Sequence, residues 1–309
     1  MKKISLSLFV SLFLFLSCYN NDTIVTEANQ HTEIRKGTLI KTVNLATVGS
    51  EFDYEIEDFD IEDGYLYFDY KFRIYRLDLS LESVTPELII DDTNHAGISA
   101  LAVINNTLYY QSFWGSLSKI MQVNLNNISD GSHEINPTEV FRGELVKKEN
   151  KLIYLSRPAS FSSITNFYQL DAEVSDIKIS SDQAAYLDYN NLKFIRDALY
   201  FTSGTDIRKI DLNNTNPQSS IVYTVPKLDH GEDGDIIGFD IQDNVIFYSR
   251  MSTNKLFSLN LNTPNLEPTV IQVNDNLKAD DAGYTELIVK NGFLYAKKID
   301  EETIEVFKV

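Results

Sequence analysis

A repeat constrains this chain more than any other feature. One apolar, strand-like core recurs six times: Leu66-Tyr67-Phe68, Leu108-Tyr109-Tyr110, Leu152-Ile153-Tyr154, Leu199-Tyr200-Phe201, Ile246-Phe247-Tyr248 and Leu294-Tyr295-Ala296. Successive copies begin 42, 44, 47, 47 and 48 residues apart. Five copies follow a turn pair: Asp63-Gly64, Asn105-Asn106, Glu149-Asn150, Asp243-Asn244 and Asn291-Gly292. Such residues tolerate positive φ and make two-residue hairpin turns. After each core comes a segment alternating apolar and polar residues with the period of a strand, as in Ile74 to Leu79 and Leu256 to Leu261.

Another strand candidate precedes each core, for example Ile98 to Ile104 and Ile236 to Gln242. A fourth follows most copies, as in Glu87 to Ile90 and Ser220 to Tyr223. Four short strands in a unit of this length are the mark of a β-propeller blade. The sixth unit stops at Val309 after its third strand, whereas Thr38 to Leu45 is an orphan strand before the first. Using that strand as the outer strand of the last blade joins the ends of the ring and covers an edge. The expected fold is all-β, a six-bladed β-propeller of four-stranded blades over residues 38–309.

Composition then excludes several functions. The 309 residues carry a net charge of −18, which disfavours nucleic acid and anionic membrane surfaces as partners. Seventeen Tyr and 18 Phe supply enough apolar surface to exclude a disordered chain. The single cysteine, Cys18, excludes an intrachain disulfide framework.

Residues 1–17 read as an export signal: Lys2 and Lys3 precede an apolar stretch too short to span a bilayer. Phe15-Leu16-Ser17-Cys18 resembles a bacterial lipobox, with Phe15 where that family usually has Leu. The resemblance implies cleavage before Cys18, acylation of Cys18 and anchoring to the outer membrane. An ordinary signal peptide with an incidental cysteine is the alternative. Residues 18–37, polar and without sustained periodicity, read as a flexible tether.

The core followed by Ile74-Tyr75-Arg76-Leu77-Asp78-Leu79 is similar to the repeat of LDL-receptor-type YWTD propellers and of related bacterial propeller domains. The tetrapeptide itself is absent; Tyr67-Phe68-Asp69 and Tyr200-Phe201-Thr202 match it in part. Propellers host binders, scaffolds and enzymes alike, so the fold alone assigns no activity.

Candidate site residues fall into four groups. Acidic stretches 91–97, 229–235 and 280–283 enter innermost strands and so gather on one face of the ring. Asp229, Asp233, Gly234 and Asp240 occupy positions one, five, six and twelve of a calcium-loop numbering, although Gly231 stands at position three. No cofactor is expected; calcium at Asp229 and Asp233 is the one possibility this pattern raises, against solvated turns. His95, His133 and His230 lie at expected loop positions without metal-ligand spacing, and His31 lies in the tether. Within the innermost strands Asp60, Ala102, Val146, Lys193, Asp240 and Ile288 align. Lys193 and Asp240 are then expected to pair between adjacent blades, and Asp60 has no partner in that column. Trp114 is expected in a loop on the same face as the acidic stretches, and Phe161 in the matching loop of blade three; each is either an exposed anchor or blade-end core.

Two functions follow. In the first, a lipid-anchored envelope propeller, not an enzyme, binds a protein or glycan through the face bearing Trp114, Phe161, Asp60, Asp235, Asp240 and His230. In the second, it is a metal-dependent lactonase- or lyase-like envelope enzyme. Its channel-mouth chemistry would fall to Asp60, Asp240, Asp235 or His230.

Overall fold

A computed structural model describes residues 39–45, 56, 58–70, 72–81, 85–92, 97–114, 117–135, 141–156, 165–170, 177–182, 190–212, 218–226, 234–251, 253, 255–263, 266–273, 283–298 and 303–309. Strand β1 (Leu39–Asn44) comes first. Blade one is β2 (Phe59–Glu62), β3 (Tyr65–Tyr70), β4 (Arg73–Asp78) and β5 (Glu87–Asp91). Blade two is β6 (Gly97–Ile104), β7 (Thr107–Trp114), β8 (Leu117–Asn124) and β9 (His133–Ile135). Blade three holds β10 (Phe141–Lys148), β11 (Lys151–Ser156), β12 (Thr165–Gln169) and β13 (Ile177–Asp182). Blade four holds β14 (Asn190–Ile195), β15 (Ala198–Ser203), β16 (Asp206–Asp211) and β17 (Ser219–Thr224). Blade five holds β18 (Ile236–Gln242), β19 (Val245–Arg250), β20 (Lys255–Asn260) and β21 (Thr269–Val273). Blade six is β22 (Tyr284–Lys290), β23 (Phe293–Lys298) and β24 (Thr303–Lys308), completed by β1. The protein is thus a six-bladed β-propeller of antiparallel four-stranded sheets. The described residues hold no α-helix, and none of their helices is long and apolar enough to cross a membrane.

The turn chemistry makes the hairpins. Asp63 and Gly64, Asn105 and Asn106, Asp243 and Asn244, and Asn291 and Gly292 all adopt positive φ. That backbone matches the twist of the strands on either side. Blade four, which lacks an Asn or Gly pair, makes its turn with Arg196 at φ 54°.

Apolar residues on both faces of each sheet fill the gaps between blades, giving six hydrophobic clusters for six junctions. Burial of this kind contributes about 1.5–3 kcal/mol for each large side chain. The cluster between blades six and one includes Val43 and Leu45 from the N-terminal strand beside Phe59, Phe68, Ile304 and Val306.

Ring closure orients the molecule. β1 runs antiparallel to β24, with Leu39 opposite Phe307 and Asn44 opposite Thr303. The Val309 N–H donates to the Gly292 carbonyl at 3.0 Å, which places the C-terminus beside the hairpin that joins the two inner strands of blade six. Leu39 therefore lies on this hairpin face. The innermost strands begin on the opposite, entry face. Lys41 spans the seam and donates to the carbonyls of Leu79 (3.3 Å) and Leu81 (2.9 Å) in blade one.

The aligned column is real. Asp60, Ala102, Val146, Lys193, Asp240 and Ile288 each stand opposite the second residue of their core. Toward the entry face, the innermost strands of blades two to six shift register through bulges. Ala100 and Asn191, both at φ 53°, mark two of them.

Candidate functional site

The axial channel and the entry face are the two places where the fold gathers polar groups. An innermost strand pairs on one edge only, so every second N–H along its free edge points toward the channel and needs an acceptor. At four positions a carboxylate from the preceding blade supplies it. Asp58 accepts from the Leu101 N–H, Asp60 from Val103 (2.6 Å), Asp240 from Val289 (2.6 Å) and Glu286 from Phe59 (3.2 Å). Asp60 and Asp240 also accept from the next N–H in their own strands, those of Ile61 and Ile241, both at 2.8 Å. Carboxylates of blades one, five and six thereby fix the innermost strand of the blade that follows each.

Lysines complete the network. Lys193 approaches Asp240 at 4.0 Å, the inter-blade pair expected from the column. Asp60 does have a partner, contrary to its isolation in the column. Lys147 of blade three donates to both Asp60 oxygens at 2.7 Å. It also contacts Glu62 at 3.3 Å, and Lys290 of blade six meets Glu62 at 2.8 Å and the Ile61 carbonyl at 2.7 Å. A chain of ion pairs therefore runs from blade three through blade one to blade six at the hairpin end of the channel. Glu62 is pushed up by burial, but the Lys290 hydrogen bond and the Lys147 and Lys290 charges outweigh this and hold its carboxyl below the usual value.

Nearer the entry face the charge balance reverses. Burial raises the Asp58 carboxyl despite its hydrogen bond to Glu286 and the field of Lys193. Burial raises Glu286 further, helped by the charge and hydrogen bond of Asp58. Asp240 is raised by burial as well, with Lys193 and its two N–H donors opposing. These groups line a cavity of about 830 Å³ together with Lys147, Lys193, Lys290 and apolar residues such as Phe59, Leu145 and Phe194. Its size suits a small ligand.

Of the expected site residues, the structure brings Asp60 and Asp240 to this channel wall. Asp235 is exposed just before β18, away from the cavity, and its carbonyl accepts from the Met251 N–H at 2.8 Å. Trp114 is not in a loop. It is the last residue of β7, paired with Leu117, because this hairpin continues past Phe113 and Ser118. Its side chain lies outside the described residues, as do the whole of Cys18, Phe161, Asp229, His230 and Asp233. His133 begins β9 rather than occupying a loop. Asp240, twelfth in the calcium-loop numbering, sits within β18 with both oxygens hydrogen-bonded to N–H groups. Among the described residues no group of three or more His, Cys, Asp or Glu is arranged to hold a metal ion.

Sequence reading missed Asp58, Glu286, Glu62, Lys147 and Lys290. The first two stand two residues before the aligned column, and the others one or two residues after it. It also missed Arg250, whose buried guanidinium donates to the carbonyls of Pro226 (2.7 Å) and Gly234 (3.0 Å). Arg250 thus ties Pro226 to Gly234.

No protein-family model matches the sequence. No curated protein matches it either. Solved structures do share its fold. A chain from the crystal structure of a nidogen/laminin complex is 13% identical, with a TM-score of 0.53 over 76% of this chain and 85% of that one. The extracellular domain of a putative one-component system from B. thetaiotaomicron is 12% identical, with a TM-score of 0.50 over 81% of this chain and 32% of that one. A chain from the S. cerevisiae assembly of Dbp5 with Nup159, Gle1, IP6 and ADP is 9% identical, with a TM-score of 0.50 over 82% of this chain and 75% of that one. At these identities the likeness is one of fold, and the fold is the β-propeller.

Proposed function

We propose that this protein is a lipid-anchored envelope propeller that binds a protein or glycan partner through its entry face. The observation that carries this reading is the position of Leu39, where the chain enters the ring on the hairpin face. A tether of residues 18–37 acylated at Cys18 would attach there, so the entry face would point away from the lipid. On that face β7 and β8 run for eight residues each, against six in β3 and β4. Two extra residues lift the Trp114 end by about 7 Å, forming a ridge that carries an aromatic residue of the type that anchors interfaces.

The inner-strand aspartates support binding over chemistry at the channel mouth. Asp60 and Asp240, which a metal-dependent enzyme would need, are engaged by N–H groups and lysines of neighbouring blades. A binding protein resembling YWTD-type propellers needs no group there to be free.

The test is a cross-linking pull-down from native envelopes with the lipidated chain, beside the same chain carrying Trp114→Ala and Phe161→Ala. A partner captured by the parent and lost by the variant is the expected result. Retention by the variant would move the binding surface off this face. Capture of no partner, where a control lipoprotein complex is captured, would overturn the reading.

A further inference from the structure

We propose that the seam between the last and first blades is a proton-operated latch, in which a carboxyl-to-carboxyl hydrogen bond between Asp58 and Glu286 holds the entry end of the ring closed. The geometry requires the proton. Two carboxyl groups hydrogen-bond to each other only when one of them is protonated, because two carboxylates present acceptors alone. Asp58 stands in blade one and Glu286 in blade six, and their carboxyls meet at one amide: the Phe59 N–H donates to Asp58 Oδ1 at 2.8 Å and to Glu286 Oε2 at 3.2 Å. Asp58 is also fixed from a second side, accepting from Leu101 of blade two. One shared proton therefore bears on the alignment of three blades. The chain passes from blade six to blade one only through β1, which is hydrogen-bonded rather than covalently joined to β24, whereas the outer strand at every other junction follows its own blade along the chain.

The charged surroundings set the direction. On β2, Asp60 lies two residues beyond Asp58, and on β3 the Asp69 carboxylate accepts from the Asp58 N–H at 2.8 Å. On β22 the nearest charge along the strand from Glu286 is Lys290, which is held by Glu62 and the Ile61 carbonyl. On β23, Lys297 stands opposite Glu286 in register. Across the channel, β14 contributes Lys193, β18 contributes Asp240 and β10 contributes Lys147; β6 presents the Leu101 N–H. The field of Lys193 reaches both members of the pair and favours their ionised forms. Burial outweighs it at Asp58, and burial with the charge and hydrogen bond of Asp58 outweighs it at Glu286, so both carboxyls stay above their ordinary values. For carboxyls raised in the folded state, the stabilisation is complete below the unfolded values and is lost as pH rises through the folded ones. The latch is closed in acid and loosens as the pH rises.

Hydrogen exchange measured by NMR on the full-length chain tests this at the amides that the pair holds. After correction for intrinsic exchange rates, Phe59 and Leu101 should lose protection about tenfold relative to Val103 between about pH 5 and pH 8. Val103 is the internal control because Asp60 and Lys147 hold it instead. In Glu286→Gln the side-chain amide can donate to Asp58 and accept from Phe59 without a titrating proton. The two amides should then stay protected at both pH values. Should that variant fail to fold, Asp58→Asn makes the same test from the other side. A pH response of Phe59 and Leu101 equal to that of Val103 would overturn the proposal, as would a response that persists in the variants.

Discussion

The junction between blades one and two and the junction between blades two and three use the same strand positions in opposite ways. In the first, Asp60 projects from blade one and accepts the Val103 N–H of blade two. In the second the equivalent residue is Ala102, buried among Ile120, Leu145, Leu152 and Tyr154. Lys147 of blade three, one residue beyond the column, instead reaches Asp60 of blade one. Hydrocarbon packing is non-directional and fills a gap between sheets, whereas a carboxylate fixes one register. The carboxylate junctions are those of blades five to six, six to one and one to two. They surround the place where the ends of the chain meet, and where chain connectivity does least to fix register.

The comparison can be broken from either side. Asp60→Ala removes the acceptor of two N–H groups and the partner of Lys147, and should cost about 4 kcal/mol in chemical denaturation. Leu152→Ala acts on the packed junction alone and should cost about 3 kcal/mol by the same measurement. If Asp60→Ala proved near-neutral while Leu152→Ala did not, the carboxylates would be ornament on a ring held by packing.

Smaller effects sharpen the picture. Glu62 has a depressed carboxyl in the folded state, so its contribution is present above the unfolded value and disappears as pH falls through the folded one. Glu62→Gln should therefore cost about 1 kcal/mol at neutral pH, discounted for its partial exposure. The two proteins should converge in stability as the pH falls below the ordinary carboxylate range, read as unfolding midpoints across pH. Lys41→Met, which removes the tie to the Leu79 and Leu81 carbonyls, should lower stability by only about 0.5 kcal/mol. A larger loss would mean that this seam depends on β1 more than on the channel carboxylates.

The ring itself was legible in the sequence. The six cores, their turn pairs and the orphan Thr38 to Leu45 strand predict the blade count and the closure, because alternation and turn chemistry are local signals. The aligned column also predicts the Lys193–Asp240 approach, since both residues belong to one register. The Asp60 partner was hidden for two reasons. Lys147 lies one place beyond the column and comes from two blades away, a reach that no repeat alignment shows. Asp58 and Glu286 share the position two residues before the column, but nothing local shows that acids at equivalent positions of adjacent blades meet at the Phe59 N–H. The local sequence predicts a loop at Trp114 because nothing in it shows that β7 and β8 run past the length of their counterparts.

The central claim is that the channel carboxylates hold neighbouring blades in register. Hydrogen exchange at the Val103 amide, compared between the parent and Asp60→Ala, tests it most directly. The account predicts exchange at least about tenfold faster in the variant, with Leu145 of blade three unchanged. Equal exchange at Val103 in the two proteins would contradict it, and would return Asp60 to the groups whose purpose lies in the channel itself.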